Sequence, residues 1–432
     1  DKVIRREFRI TEGELYNQTL VERSKARVTA LGYFDRVDVS EQDGSAPNLM
    51  VLNVEVSERS TGQFNVGAGF SSIESFIFQG QIQQQNFLGL GHSFALQLQI
   101  SGIRQLVQFQ YIEPYLFDTE WTGIVEAFAT IRQFQDFTRE SQGGALTVGH
   151  PVLHDNLRLY LRYRFENVDI SSRTGGFFGA GGNAVGLGLL KQLPLANLFR
   201  SGITSSARLS LQWDSRDNRI YPRNGVYASA STEVSDSFLG SANVFQRNEG
   251  FFRIYKEIWG PFVFKMNTEL GIVTSRLTSG VPIFERYFLG GIFNVRGFPL
   301  NSLGPRAGIP NSNDPSAIPS SVGVAIGGNM QFFYNMEVEF DIVPPIGLKG
   351  VVYTDGGNAW NLEPALAIPA DGNDRTNDPR GGPSPFKLRH SWGFGVRWIS
   401  PLGPLRFEWG FPFAPRSYED SGRFDFTIGN FF

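Results

Sequence analysis

Hydrophobic and polar residues alternate along most of this chain. Leu96, Leu98 and Ile100 interleave with Gln97, Gln99 and Ser101. Leu157, Leu159, Leu161, Tyr163 and Phe165 interleave with Arg158, Tyr160, Arg162, Arg164 and Glu166. The same period runs through residues 207–213, 335–342 and 405–410, and through the closing set, where Phe424, Phe426 and Ile428 alternate with Asp425, Thr427 and Gly429. Successive side chains of a strand point to opposite faces, so this period predicts strands that are wet on one side only. A soluble sandwich also alternates, but its polar face rarely carries arginine at every second position. Here rows of charge occupy one face while the other is nearly free of it. A membrane barrel with a wet lumen requires that division, because an ionised group facing hydrocarbon near the midplane costs roughly 2–4 kcal/mol. The pattern predicts an all-β chain, folded as a transmembrane antiparallel β-barrel.

Sixteen strands can be placed, the first near residues 63–70 and the last over 424–431. Dividing residues 60–432 among them leaves about 23 residues per strand and connection, which suits strands of about ten residues with short turns at one end. Residues 169–202 either hide a strand or form one long loop. Residues 276–328 fit neither turn nor strand and make a connection of about fifty residues, a length that is usually functional or disordered. It carries Phe284-Glu285-Arg286-Tyr287-Phe288-Leu289-Gly290-Gly291 and Val295-Arg296-Gly297-Phe298. So apolar a loop is expected to be packed, and the lumen is the available place.

Residues 1–59 break the pattern. Residues 3–8 and 20–32 carry helical spacing, with Gly32 placed as a C-cap. Two strands are expected around 34–39 and 49–56, separated by the Asp43-Gly44 turn. This is a small α+β module that lacks a first strand. Asp1 opens directly into structured sequence, so the N-terminus is expected to be a processing boundary or a cut and not the natural start.

Composition narrows the chemistry. The 432 residues include no cysteine, which removes disulfides and thiolate metal sites. A formal net charge of −3 argues against a nucleic-acid partner. No apolar run reaches the ~18 residues that a spanning helix needs. The 39 Phe, 13 Tyr and 7 Trp are enough for aromatic girdles at two membrane interfaces. The 23 prolines and 49 glycines cluster in a few long loops, notably 307–328 and 364–385. His92, His150, His154 and His390 are scattered, without metal-ligand spacing or a catalytic constellation, so neither an enzyme nor a cofactor is expected. Asp214-Ser215-Arg216-Asp217-Asn218, followed by Tyr221-Pro222 and Asn224-Gly225, superficially suggests a metal loop. It reads better as a hairpin turn.

Four motifs resemble one family closely. Residues 2–59, with Ile4-Arg5-Arg6-Glu7 and Leu31-Gly32-Tyr33-Phe34, are similar to the last POTRA (polypeptide-transport-associated) module of the BamA family. These are the central subunits of the bacterial β-barrel assembly machinery, among the polypeptide-transporting outer-membrane proteins. Thr61-Gly62-Gln63-Phe64-Asn65-Val66-Gly67 and Gln85-Asn86-Phe87-Leu88-Gly89-Leu90-Gly91 resemble the opening of that barrel. Gly290-Gly291 with Val295-Arg296-Gly297-Phe298 resembles the loop-six signature, and Ser400-Pro401-Leu402-Gly403-Pro404-Leu405 with the terminal strand resembles the barrel's end. The resemblance covers essentially the whole chain. Members carry several POTRA modules and only part of one is present here, so most of the surface that recruits partner lipoproteins is expected to be missing.

The resemblance implies an outer-membrane insertase with its POTRA module in the periplasm. Its partners would be unfolded outer-membrane protein clients, assembly-machinery lipoproteins and outer-membrane lipid. It further implies that loop six folds into the lumen and docks Val295, Arg296, Gly297 and Phe298 on the inner wall. Asp355 matches the family's acidic partner, and Glu337 is the better match for a second, though Glu339 shares its face. A second site is the seam, where a barrel must pair its first and last strands. Gln63, Phe64, Asn65, Val66 and Gly67 are expected to face Phe424, Phe426, Ile428, Gly429 and Phe432. Gly62, Gly67, Gly69 and Gly429 would weaken that pairing, since glycine packs poorly in strands. Weak pairing leaves a template on which another strand can add. Alternatively, these glycines only relieve crowding in the lumen. A two-partner-secretion-type translocator or a passive porin-like channel would be the competing functions. The former passes its client through the lumen, and the latter would lack both the POTRA module and the loop-six signature.

Overall fold

The computed structural model describes residues 2–134, 137–171, 201–219, 221–307, 324–363, 387–400, 403–415 and 419–429, with the backbone alone at 155, 173–174, 182–183, 306–307 and 324. Two helices and a hairpin open the chain. Helix α1 spans Lys2–Glu7 and α2 spans Gln18–Ala30. The Asn17 side chain accepts a hydrogen bond from the Leu20 backbone N–H at 3.3 Å, occupying one of the donors that a helix start leaves open. Gly32, at φ +70°, lets the chain leave α2 in a conformation that L residues rarely adopt. Strands β1 (Phe34–Asp43) and β2 (Met50–Glu58) pair antiparallel. Val28, Phe34 and Val37 form a small core against Ile4, Phe8 and Val56.

Among the described residues, sixteen further strands close into one antiparallel barrel. The first seven are β3 (Gly62–Ser71), β4 (Ser75–Phe87), β5 (His92–Ser101), β6 (Arg104–Glu113), β7 (Thr122–Gln133), β8 (Thr138–Val152) and β9 (His154–Ser171). Next come β10 (Gly202–Asp214), β11 (Gly225–Ser235), β12 (Phe245–Trp259) and β13 (Phe262–Thr274). Loop six leads to β14 (Met330–Val343), β15 (Leu348–Trp360), β16 (Arg389–Ser400), β17 (Gly403–Pro412) and β18 (Arg423–Ile428). β9 pairs directly with β10, and residues 175–181 and 184–200 lie outside the described residues. The two proline- and glycine-rich stretches, 308–323 and 364–386, lie outside the described residues.

Alternation sorts the side chains as the barrel requires. Leu146, Leu161, Phe165, Leu209, Val352 and Phe394 stand exposed on the outer face. Between them, charged residues turn inward and neutralise one another across strands. Arg164 lies 3.2 Å from Glu166 and 3.0 Å from Glu233, Arg139 lies 2.9 Å from Glu166, and Arg208 lies 2.7 Å from Glu249. Phe117, Trp121 and Trp259 are exposed at turns on the module's side, as girdle residues would be. A further group of aromatics gathers elsewhere. Phe394, Trp409, Phe424, Phe426 and Phe70 form a series of ring contacts, stacked except for the tilted Trp409–Phe424 pair, running from β16 to β3.

The module is fastened under one sector of the barrel. Asp118, in the β6–β7 turn, receives Lys2 at 2.6 Å and Arg6 at 2.8 Å. Tyr115 donates to Glu7 at 2.9 Å, and Glu7 also pairs with Arg27 at 2.8 Å. Gly91 packs on Val3 so closely that a Cβ there would lie 3.3 Å from a Val3 methyl.

Candidate functional site: the loop-six dock and the seam

Loop six leaves β13 and folds into the lumen, turning at Gly290 (φ +108°) and Gly291 (φ +102°). Asn294 holds the turn by accepting from the backbone N–H groups of Gly290 and Val295, both at 2.7 Å. Leu289, Val295 and Phe298 are buried with Leu303, Phe333 and Ala359. An apolar knot of this kind inside a polar lumen fixes the loop by burial. It also leaves the intervening arginine no water to turn to.

Arg296 is 4% exposed and meets three carboxylates. Asp355 on β15 takes it side-on, with Nε to Oδ2 at 2.6 Å and Nη2 to Oδ1 at 2.7 Å. The same Oδ2 accepts the Arg296 backbone N–H at 3.0 Å. Nη1 reaches Glu337 of β14 at 3.1 Å and Glu408 of β17 at 3.4 Å. The guanidinium lies over the Tyr353 ring, 3.5 Å from its centroid, and the Ser391 hydroxyl donates to the Arg296 carbonyl. The planar fork thus uses its donors on groups from three strands, a match that an ammonium could not make. Gly297, at φ +85°, turns the chain beside Gly410 and brings Phe298 under Arg389.

A second layer prevents the carboxylates from repelling one another. Arg397 on β16 bridges Glu337 (2.7 Å), Glu408 (2.8 Å) and Glu339 (3.1 Å), while Arg406 pairs with Glu408 at 2.7 Å. Glu339 does not reach Arg296. It pairs with Lys265 at 2.8 Å and Lys349 at 2.9 Å, so of the two candidates on that face Glu337 is the loop's partner. Sequence reading missed Glu408, Tyr353, Arg397 and Ser391. The alternation around Leu405, Phe407 and Trp409 does put Glu408 on the lumenal face, but not at the height of Arg296.

The seam is short among the described residues. β3 and β18 share two register pairs among the described residues, Ser71 with Thr427 and Phe70 with Ile428. Of the expected pairing along residues 63–70, the described residues show the pair at Phe70, and residues 430–432 lie outside the described residues. Gln63, Phe64, Asn65, Val66 and Gly67 pair on one side only, with residues 79–83 of β4, and their outer edge has no partner among the described residues. Phe64 is 70% exposed. The ladder is supplemented at its far end, where the Ser72 N–H donates to the Phe426 carbonyl and the Ser72 hydroxyl to Asp425, both at 3.0 Å. Phe70 also stacks on Phe426 there. Phe424 pairs with Trp409 and not with β3. Gly429 leaves extended geometry at φ +109° and crosses tightly over Ala68 and Gly69. Phe432 lies outside the described residues.

The 214–218 segment is a turn at the module's end of the barrel. Asp214 pairs bidentately with Arg216, and Asp217 accepts three backbone N–H groups at 2.8–3.1 Å. Among the described residues no cluster of potential metal ligands occurs.

Comparison with known proteins agrees with this architecture. The chain is 27% identical over its whole length to the outer membrane protein assembly factor BamA of Nitratidesulfovibrio vulgaris, covering 49% of that protein. It is 24% identical to BamA of Neisseria meningitidis serogroup B, covering 55% of it. The chain thus spans about half the length of these relatives. Its fold matches the crystal structure of Haemophilus ducreyi BamA lacking POTRA domains 1–3, with a TM-score of 0.81 and 21% identity, over 100% of this chain and 81% of that one. The barrel is an outer-membrane barrel with its N-terminal module in the periplasm. Residues 1–59 match the POTRA domain (surface antigen variable number repeat) and residues 86–432 match the Omp85 superfamily domain, and the chain belongs to the Omp85 superfamily.

Proposed function

We propose that this protein inserts and folds β-barrel proteins in the outer membrane, using the short seam as the place where a client strand enters. The observation that carries this reading is that, among the described residues, the seam has two register pairs and the outer edge of Gln63, Phe64 and Asn65 lies beyond them without a partner. An open strand edge at membrane depth exposes N–H and C=O groups that lipid cannot satisfy, so an incoming strand is its natural partner. The client's own folding supplies the driving force, and no nucleotide, cofactor or covalent step is invoked. The clients are unfolded outer-membrane proteins, delivered along POTRA modules that also hold the lipoprotein partners. Loop six, docked through Arg296, keeps the wall beside the seam in one arrangement while strands exchange. A lumen occupied by a docked loop argues against a passive channel.

The test is complementation of a cell depleted of its own BamA by the full-length parent gene, as wild type and as Arg296→Ala. Rescue by wild type with severe weakening in the variant supports the reading. Failure of a well-expressed wild type, in a strain where a chimaeric POTRA region excludes partner mismatch, points to a translocator of the two-partner-secretion type.

A further inference from the structure

Loop six touches the barrel wall a second time, across the lumen from Arg296. Glu285, 5% exposed, forms an ion pair with Arg247 of β12 and lies 3.9 Å from Arg164 of β9. Phe284 lies under the guanidinium of Arg139 of β8, 5.4 Å from ring centroid to Cζ. Phe288 packs on Phe134 and Phe137, which flank the β7–β8 turn, at 5.3 and 6.2 Å between centroids. In the ring of sixteen, β7 is eight strands from β15 in either direction, so the turn that holds Phe288 is diametrically opposite the strand that holds Asp355.

The two contacts are opposite in sign. On one wall, a loop arginine enters a nest of carboxylates. Further round the ring, a loop carboxylate enters a nest of arginines, since Arg164 of β9 and Arg247 of β12 both face Glu285. A buried charge holds only where its partners are, so each end has one seat, and the two ends cannot exchange them. A cavity of about 800 Å³, lined by Arg162, Arg208 and Gln110 among others, remains open beside this crossing.

We propose that Phe284, Glu285 and Phe288 form a second dock, which makes loop six a strut across the lumen. The strut ties the β7–β9 wall, together with Arg247 of β12, to the β15–β17 wall that adjoins β18 and the seam. Glu285 and Phe288 are positioning residues, acting on the seam through the shape of the barrel. This rests on the reading that the seam is the working site, but the strut itself is measurable without any client.

These 432 residues contain no cysteine, so Phe293→Cys on the loop and Ser210→Cys on the wall give two unique spin-label sites in the purified 432-residue chain. A single narrow distance is expected in the parent background. Arg296→Ala, Glu285→Gln and Phe288→Ala should each broaden it, and Arg247→Gln, attacking the same ion pair from the wall, should reproduce the effect of Glu285→Gln. Heat-modifiable migration verifies that each barrel is folded. A narrow, unchanged distance in Glu285→Gln and Arg247→Gln alongside a broad one in Arg296→Ala would overturn the proposal. In a client-folding assay, Glu285→Gln combined with Arg296→Ala should be no worse than the worse single variant, because a strut released at either end is already lost. Multiplying losses would mean two independent sites and would equally overturn it.

Discussion

Gly297 of loop six and Gly410 of β17 meet backbone to backbone: a Cβ on Gly410 would lie 2.6 Å from the Cα and N of Gly297. No side chain can stand between them without lifting the loop from its seat. Gly410→Ala should therefore release Val295-Arg296-Gly297-Phe298 while leaving every charge in place. Limited proteolysis is the check. The variant should be cleaved within loop six where wild type resists, with a barrel that still shows heat-modifiable migration. Protection equal to wild type would mean that the two backbones part easily and the fit is not needed.

Glu408 serves three arginines at once: Arg296, Arg397 and Arg406. Removing one member of a buried charged network costs on the order of 3–5 kcal/mol, because the remaining charges stay buried without their partner. Glu408→Gln should lower the unfolding temperature of the barrel while loop six remains docked, since Asp355 still holds Arg296 bidentately. Arg296→Ala should instead free the loop, and because the undocked loop opens Asp355 to lumenal water, the change in barrel unfolding should be smaller. Identical profiles for the two variants would show that dock and network are not separable.

Asp118 fastens the periplasmic module to the barrel. Hydrogen bonds from Lys2 and Arg6 hold its carboxyl below the ordinary value of 3.8. A carboxylate with a depressed pKa contributes its hold above that ordinary value and loses it as pH falls below. The module should thus be fixed at neutral pH and loosen in acid only beneath the usual carboxylate range. Asp118→Asn should show the loosened state already at pH 7. Interdomain distance measurements across that range check both statements, and an acid response that persists in Asp118→Asn would assign it to another group.

Much of this arrangement could be read from the chain. Alternation in residues 157–166 is enough to turn Arg164 and Glu166 inward and Leu161 and Phe165 outward, because period two leaves no freedom once one face is apolar. The pairing of Arg296 with Asp355 and Glu337 was likewise expected from the resemblance. Alternation gives a residue's face but not its height in the barrel, which depends on the stagger accumulated over many strands. That is why Glu408, 112 residues from Arg296 in sequence, was missed. It is also why the seam was expected along residues 63–70 without its register, which among the described residues sets Phe70 opposite Ile428 and Ser71 opposite Thr427. Phe284 and Phe288 gave no signal beyond being apolar, and their seat at the β7–β8 turn exists only once the ring has closed.

The central claim is that clients enter through the seam, and locking it is the most direct test. Phe70 and Ile428 are register partners and these 432 residues contain no cysteine, so Phe70→Cys with Ile428→Cys introduces one possible disulfide within the barrel, across the two strands. The full-length protein would be reconstituted in vesicles and the folding of a client barrel followed with the bond oxidised and then reduced. Folding should fall to the protein-free rate when the bond is closed and recover on reduction. Equal folding in both states would contradict the account.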